Sequence, residues 1–136
     1  MPERRAGSQY RHTMKITRCD IRLEQLRLYA YHGVLEQERR VGAFYTLDVT
    51  LSLAHAEGAV LHDELASTVN YAEVYDLVRQ EFMQPSQLLE HVAGRLLQAI
   101  LSAFPAVAAA AVTVRKDNPP MGADCAGCSV TLAAER

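Results

Sequence analysis

Little cysteine and the lack of any long apolar run exclude several classes of protein. The 136 residues include only Cys19, Cys125 and Cys128, an odd number that does not suit a disulfide framework and fits a reducing compartment. The longest apolar run, at 106–112, is far shorter than the roughly 18 residues that a membrane-spanning helix needs. Residues 1–13 are polar and lack the apolar stretch of a secretory signal. We therefore expect a cytoplasmic protein with no membrane partner.

An excess of one charge sign is also absent. The chain has 14 basic and 16 acidic residues, a net charge of -2. Its arginines are scattered, apart from Arg4, Arg5 and Arg11 near the start. Nucleic-acid binding needs a basic stripe that neutralises phosphates, so the composition argues against a nucleic-acid partner.

Recognisable metal-binding patterns are missing as well. Neither an H-x-H pair on a strand nor an H-x-x-x-H pair on a helix occurs among the five histidines, His12, His32, His55, His62 and His91. Cys125 and Cys128 form a C-x-x-C pair, which could bind a metal or act in redox chemistry. No second pair completes a zinc site, and we expect a strand after Cys125, in which residues three apart face opposite sides. We predict no metal site, a structural His32 and a surface His91.

Alternating apolar and polar residues predict two strands in the first half of the chain. In residues 20–31 the alternation slips by one residue at Glu24 and Gln25, which indicates a β-bulge in a long strand. A charged loop at 36–40 interrupts the pattern. After Gly42 the alternation resumes and gives the clearest strand of the chain, with five residues on its apolar face: Tyr45, Leu47, Val49, Leu51 and Leu53.

Two amphipathic helices follow a polar connection at 54–67. Apolar residues recur at helical spacing over 71–82, and Asn70 is placed to cap the start of this first helix. A break at 84–86, which contains a proline, separates it from a second helix over 89–104 with a wide apolar stripe.

Two further apolar runs, at 106–115 and 127–133, close the chain around a proline-containing loop at 118–122. The order strand, strand, helix, helix, strand, strand predicts an α+β domain with a four-stranded antiparallel sheet and both helices on one face. We assign residues 16–136 to this domain and 1–15 to a flexible N-terminal extension. A short sheet with open edges invites pairing with other subunits, so we expect a homo-oligomer.

Four short strings follow one another along the chain and together resemble a known family. They are YAYHGVLEQE with GAF (29–38 and 42–44), TVNYAEV (68–74), LLEHVA (88–93) and VRKDNPP (114–120). In this order and spacing they resemble blocks of the dihydroneopterin aldolases, over about residues 15–131. The resemblance implies the tunnelling fold, in which four subunits join their sheets into a barrel. It also implies an octamer of two stacked rings, with active sites at subunit interfaces.

The resemblance implies a folate-pathway lyase that converts 7,8-dihydroneopterin into 6-hydroxymethyl-7,8-dihydropterin and glycolaldehyde, with an epimerase side activity and without metal or organic cofactor. Carried over residue by residue, it implies that Lys116, Tyr71 and Glu38 are catalytic. The residues that it places around the reduced pterin substrate are Glu90, Leu89, Val69, Asn70, Tyr71 and Glu38.

The chemistry of these residue types agrees with such roles. The carboxylate of Glu90 offers two acceptors to the adjacent N–H donors of an amino-pyrimidine. A 7,8-dihydropterin carries a C=N bond at the ring position that bears the side chain, so the ring itself can accept the electron pair of a retro-aldol cleavage. The protein then needs only to move protons, for which Lys116, Tyr71 and Glu38 are suitable.

Other interpretations stay open at this point. Taken singly, Lys116 is a typical solvated charge at a strand end, and Glu90 a typical carboxylate that complements a helix dipole. Within the family, a dedicated epimerase of dihydroneopterin or its triphosphate is the nearest alternative, although the strings at 31–33 and 118–120 favour an aldolase. A non-catalytic pterin-binding ring protein is a third alternative, and the joint presence of Lys116, Tyr71, Glu38 and Glu90 argues against it.

Overall fold

The computed structural model describes residues 14–136, so most of the predicted extension, residues 1–13, lies outside the described part of the chain. Two long strands, two long helices and two further strands follow one another, with three short helical segments between them. In chain order the elements are β1 (Asp20–Ala30), α1 (Glu36–Val41), β2 (Ala43–Leu53), α2 (Glu57–His62), a 3-10 helix (Leu65–Ser67), α3 (Tyr71–Phe82), α4 (Leu89–Ala103), β3 (Val107–Lys116) and β4 (Cys128–Glu135).

The four strands form one antiparallel sheet in the order β1-β2-β3-β4. The predicted β-bulge is confirmed, because the pairing of β1 with β2 shifts register between Leu23 and Leu26. Within the bulge Gln25 has a φ of 54°, and its backbone N–H donates to Asp48 Oδ1 at 2.9 Å. This contact gives the extra residue a partner outside the regular ladder.

The core lies between one face of the sheet and both long helices, which confirms the predicted α+β arrangement. On β2 the apolar side chains alternate inward as expected, and Tyr45, Leu47 and Val49 are fully buried. Helices α3 and α4 contribute their apolar stripes to the same cluster through Val74, Val78, Phe82, Val92, Ala93, Leu96, Leu97 and Ile100. The opposite sheet face carries Thr, Asp and Arg side chains, so burial on the helix side fixes the register of β1, β2 and β3.

The expectation of two helices was incomplete, and two segments expected as loops are helical. The charged segment at 36–40 forms helix α1, and the connection at 54–67 contains α2 and the 3-10 helix. Helices α1 and α2 have six residues each, with no buried residue in either. Fewer than two helical turns without a buried face leave no apolar periodicity to detect.

The expectation that Cys125 and Cys128 lie three residues apart in one strand was wrong. Cys125 lies in the loop before β4, and the strand begins at Cys128. Both residues are exposed free thiols. Over residues 14–136, no group of three or more His, Cys, Asp or Glu side chains could hold a metal ion. In the same range no helix is long and apolar enough to cross a membrane.

His32 has the structural role that the sequence predicts. Its side chain is fully buried and packs edge-on against Tyr45 and Phe82, with ring centroids 5.2 and 4.6 Å apart. His32 Nδ1 accepts from the Ser86 N–H at 3.1 Å, and the Gly33 N–H donates to Ser86 O at 3.0 Å. The turn after β1 is thereby joined to the loop between α3 and α4.

The acceptor role of Nδ1 requires the neutral tautomer with its proton on Nε2. Nε2 is buried and has no hydrogen-bond partner among the described residues. Burial away from water is the main reason that the pKa of His32 falls from its usual 6.5 to about 4, and the charges of Arg95 and Lys116 lower it further.

We expect the free energy of unfolding to decrease as the pH is lowered from about 6.5 to about 4. In this window the unfolded chain binds a proton at His32 and the folded chain does not, so the stabilisation present above pH 6.5 is lost as the pH falls through 4. The difference between the two pKa values corresponds to a decrease of about 3 kcal/mol in the free energy of unfolding. Denaturant titrations at a series of pH values and one protein concentration measure it.

His32→Asn is the matched variant, because an amide oxygen can accept from the Ser86 N–H but does not titrate. Protonation of carboxylates such as Asp20, whose pKa is lowered by its hydrogen bond from Ser52, lowers the free energy of unfolding of both proteins in acid. The variant should therefore be less stable at neutral pH but lose less on acidification. Parallel pH curves for the two proteins would contradict the assignment.

Candidate active site

Lys116 is the last residue of β3 and lies almost entirely inside the protein. Its side chain is 9% exposed, and its Nζ donates to Glu38 Oε1 at 2.6 Å and to His32 O at 3.0 Å. The Tyr45 ring lies beneath the ammonium, with its centroid 5.5 Å from Nζ. A buried ammonium is stable only when its charge is compensated in this way, so Lys116 is not the solvated strand-end charge that it resembles in isolation.

Glu38 reaches Lys116 because helix α1 holds it over the turn that follows β1. Its Oε2 accepts from the Leu35 N–H at 3.1 Å, as an acidic residue in a first helical turn often does. Burial disfavours the charge, but hydrogen bonds from Lys116 and Leu35 and the charge of Lys116 outweigh it and hold the pKa of Glu38 below its usual value. Glu38 is therefore ionised at neutral pH.

The turn itself permits this approach because residue 33 is glycine. Gly33 has a φ of 154°, and a Cβ atom there would lie 2.5 Å from the carboxyl carbon of Glu38. Arg39 secures the same turn, since its Nη1 donates to Gly33 O and Val34 O at 2.7 Å each. Any larger residue at position 33 would displace the Glu38 carboxylate from Lys116.

The ion pair forms part of the wall of an open cavity of about 340 Å³, a volume typical of small-molecule sites. The polar part of the lining comes from Lys116, Glu38 and His32, together with Gln37 and Asn118. The rest of the lining is largely apolar and comes from Leu35, Val41, Ala43 and Pro120. The cavity thus combines an apolar surface with a few converging polar groups.

Leu89 and Glu90 begin helix α4, at the same end of the molecule as Lys116. Helix α4 is about 22 Å long, ends just before β3 begins and packs against that strand, so its first turn lies near the strand's far end. Ser86, four residues before Glu90, is bonded to His32, and His32 O accepts from Lys116. Glu90 is exposed and Leu89 is half-buried.

Val69, Asn70 and Tyr71 lie at the opposite end. Val69 and Asn70 line a second cavity together with residues 104–106, which immediately precede β3. Ten residues of strand separate this point from Lys116, a distance of about 30 Å. Within one chain the predicted site residues therefore fall into two groups: Lys116, Glu38, Leu89 and Glu90 in one, and Val69, Asn70 and Tyr71 in the other.

The second group also shows structural roles. Asn70 caps α3 as predicted, since its Oδ1 accepts from the Ala72 N–H at 2.9 Å. The Val69 side chain is buried in the core. The expectation that Tyr71 belongs to the apolar stripe of α3 was wrong, because its side chain, at the first helical position, is 67% exposed.

Two residues close to Lys116 were not singled out as site residues from the sequence. They are Tyr45 and Ser86. Tyr45 was predicted as a core residue of β2, but its hydroxyl also donates to His32 O at 2.8 Å. Ser86 acts only through its backbone on His32 and Gly33. The sequence offered one signal, for Tyr45. A phenol on the apolar face of a strand is buried, and its hydroxyl then needs a hydrogen-bond partner.

Comparisons with known proteins identify the family of this chain. A family model described as dihydroneopterin aldolase (FolB) matches residues 21–133. The dihydroneopterin aldolase of a Streptococcus pyogenes serotype M6 strain is 33% identical over 119 residues, which cover 84% of this chain and 96% of that protein.

Two solved structures share the fold. A Vibrio cholerae protein assigned to the dihydroneopterin aldolases has a TM-score of 0.79 and 22% identity, with 89% of this chain and 100% of that one covered. The Escherichia coli dihydroneopterin aldolase, solved with neopterin, has a TM-score of 0.75 and 20% identity, with 85% and 98% covered. The match over residues 21–133 and the streptococcal likeness together establish that this chain belongs to the dihydroneopterin aldolase family.

Proposed function

We propose that the chain is a dihydroneopterin aldolase, a carbon–carbon lyase that converts 7,8-dihydroneopterin into 6-hydroxymethyl-7,8-dihydropterin and glycolaldehyde. The observation that carries the proposal is the buried Lys116–Glu38 pair, with its 2.6 Å contact, in the wall of a cavity of small-molecule size. Family membership supports the same activity, and the Escherichia coli structural relative holds neopterin.

The reaction needs only proton transfers from the protein. The hydroxyl on the second side-chain carbon loses its proton, and that carbon becomes the carbonyl carbon of glycolaldehyde. The bond between the first and second side-chain carbons breaks, and its electron pair moves into the protonated ring as an enamine. A proton then adds to the first side-chain carbon, and the ring nitrogen releases the proton that it had taken up, which leaves the neutral hydroxymethyl product. The reduced ring acts as the electron acceptor throughout.

Each candidate residue has a task in this sequence. Lys116 organises the removal of the hydroxyl proton, through a bridging water, and Glu38, which stays ionised, orients the side-chain hydroxyls as an acceptor. Glu90 binds the amino-pyrimidine edge with both carboxylate oxygens, and the backbone beside Leu89 completes the ring pocket. Tyr71 assists the return of the proton to carbon.

A complete site requires two chains. The distance of about 30 Å along β3 prevents Tyr71 and Lys116 of one chain from contacting one substrate. We propose that Tyr71, with Val69 and Asn70, reaches the substrate from a neighbouring subunit of a ring, and that two tetrameric rings form an octamer. Cytoplasmic location and an epimerase side activity, which re-addition of glycolaldehyde would produce, stay predictions.

Purified protein mixed with 7,8-dihydroneopterin in the absence of oxygen should release glycolaldehyde and 6-hydroxymethyl-7,8-dihydropterin in equal amounts. Lys116→Met should lower kcat by about 100-fold or more, the usual scale for the loss of a proton-transfer group. Chromatography of both products at timed intervals measures the rates. Formation of a side-chain isomer without glycolaldehyde would instead identify an epimerase, and no turnover would identify a binding protein.

The control for Lys116→Met is Lys15→Met, because Lys15 is the other lysine of the chain and is exposed. It should keep wild-type turnover. Since Lys116→Met leaves the Glu38 carboxylate buried without its partner, the free energy of unfolding of this variant is measured beside its turnover, which separates lost chemistry from lost stability. Near-normal turnover in a folded Lys116→Met protein would contradict the role of Lys116.

Glu90→Gln should chiefly weaken pterin binding. Replacing a carboxylate by an amide removes one of two acceptors and the charge, which corresponds to a rise in Kd of about 10- to 100-fold. Calorimetric titration with a non-reacting pterin such as neopterin measures the change. Glu57→Gln is the matched control, since Glu57 also lies in a first helical turn but follows the end of β2 that is remote from Lys116. Equal affinity for neopterin in both variants would refute the anchoring role of Glu90.

Sharing of the site between subunits predicts complementation. Lys116→Met and Tyr71→Ala proteins should each be nearly inactive alone. After unfolding and refolding of an equimolar mixture, roughly a quarter of the sites should combine two intact halves and regain activity. Separately refolded samples mixed afterwards serve as the control. Recovery no greater than in this control, despite mixed oligomers seen by mass spectrometry, would show that the two residues do not act in one shared site.

A further inference from the structure

The hydroxyl of Tyr45 meets Lys116 at a single backbone oxygen. Tyr45 lies on β2 directly opposite Lys116 on β3, and its ring is fully buried between His32 and Phe82. The hydroxyl donates to His32 O at 2.8 Å, and the Lys116 ammonium donates to the same oxygen at 3.0 Å. A carbonyl oxygen has two lone pairs, so these two donors fill its capacity.

The same hydroxyl also accepts a hydrogen bond from the His32 N–H at 3.2 Å. One phenol oxygen thus holds both backbone polar groups of His32. Because burial raises the pKa of the Tyr45 phenol, the hydroxyl keeps its proton and remains a donor. These two hydrogen bonds fix the backbone of His32 relative to β2, independently of the packing of the His32 ring.

The position of His32 O matters because it determines where Lys116 points. A lysine ammonium has three N–H donors. Among the described contacts, two are used by His32 O and Glu38 Oε1, which leaves one N–H for the substrate or a water in the cavity. With two of three tetrahedral directions fixed, the direction of the third follows.

We propose that Tyr45 is a positioning residue for Lys116: its hydroxyl fixes the His32 carbonyl and thereby directs the free N–H of the ammonium into the cavity. The inference rests on the role of Lys116 in the proposed function. Tyr45 itself does not contact the reacting atoms, since it is absent from the cavity lining. Its hydroxyl acts on Lys116 through the His32 carbonyl, and it also lies close enough for the ammonium to partly offset the rise in the pKa of the phenol.

Tyr45→Phe isolates this effect, because the ring still fills the core and only the hydroxyl is lost. The His32 carbonyl keeps Lys116 as a partner but is no longer tied to β2, so the ammonium loses its fixed direction. We expect kcat for glycolaldehyde release to fall about three- to tenfold, the rate equivalent of one neutral hydrogen bond, with KM within about twofold of wild type. Tyr75→Phe, which removes a phenol hydroxyl from the half-buried face of α3, should leave both constants unchanged.

A purely structural role is distinguished by a double-variant cycle. If Tyr45 acts through Lys116, Tyr45→Phe should lower kcat in the wild-type background but should not lower the residual turnover of Lys116→Met any further. Equal fold-changes in both backgrounds, or a lower Tm with an unchanged kcat per folded site, would overturn the proposal. Failure of the proposed function would look different, since the wild-type protein itself would then release no glycolaldehyde.

Discussion

The buried ammonium of Lys116 is the constraint on which the site depends. A charge withdrawn from water costs several kcal/mol unless opposite charge and hydrogen-bond acceptors replace the solvent. Here Glu38, His32 O and the Tyr45 ring supply that replacement, and they come from helix α1, the turn after β1 and strand β2. Because all three groups stabilise the buried charge, the site depends on the correct packing of these three elements.

The need to compensate the charge of Lys116 explains why the segment between β1 and β2 makes several specific contacts. The turn needs glycine at 33 to admit the Glu38 carboxylate, and Arg39 to hold the carbonyls of Gly33 and Val34. His32 then joins the turn to the loop before α4 through Ser86. Lys116 and the loop before α4 are thus connected by short polar contacts through His32.

Most of the fold could be predicted from the sequence because it follows from apolar periodicity. The two long strands, the bulge at Gln25 and the cap at Asn70 each have a local signal. Helix α1 had none, since five of its six residues are polar and one valine makes no apolar face, and the Lys116–Glu38 pair joins residues 78 positions apart. Family strings supplied the candidates for the site, but only the three-dimensional arrangement separates Tyr71 from Lys116 by the length of β3.

That separation connects the chemistry to assembly. A single chain offers a cavity with a charge pair, yet the exposed Tyr71 lies about 30 Å away along the sheet. The same chain presents open sheet edges at β1 and β4, where unpaired backbone groups can bond to another subunit. If edge pairing brings the start of α3 of one subunit to the Lys116 end of the next, the contact that closes the ring also completes the active site. Catalysis would then require the oligomer, and a chain unable to pair at its edges would bind pterin weakly and turn over little of it.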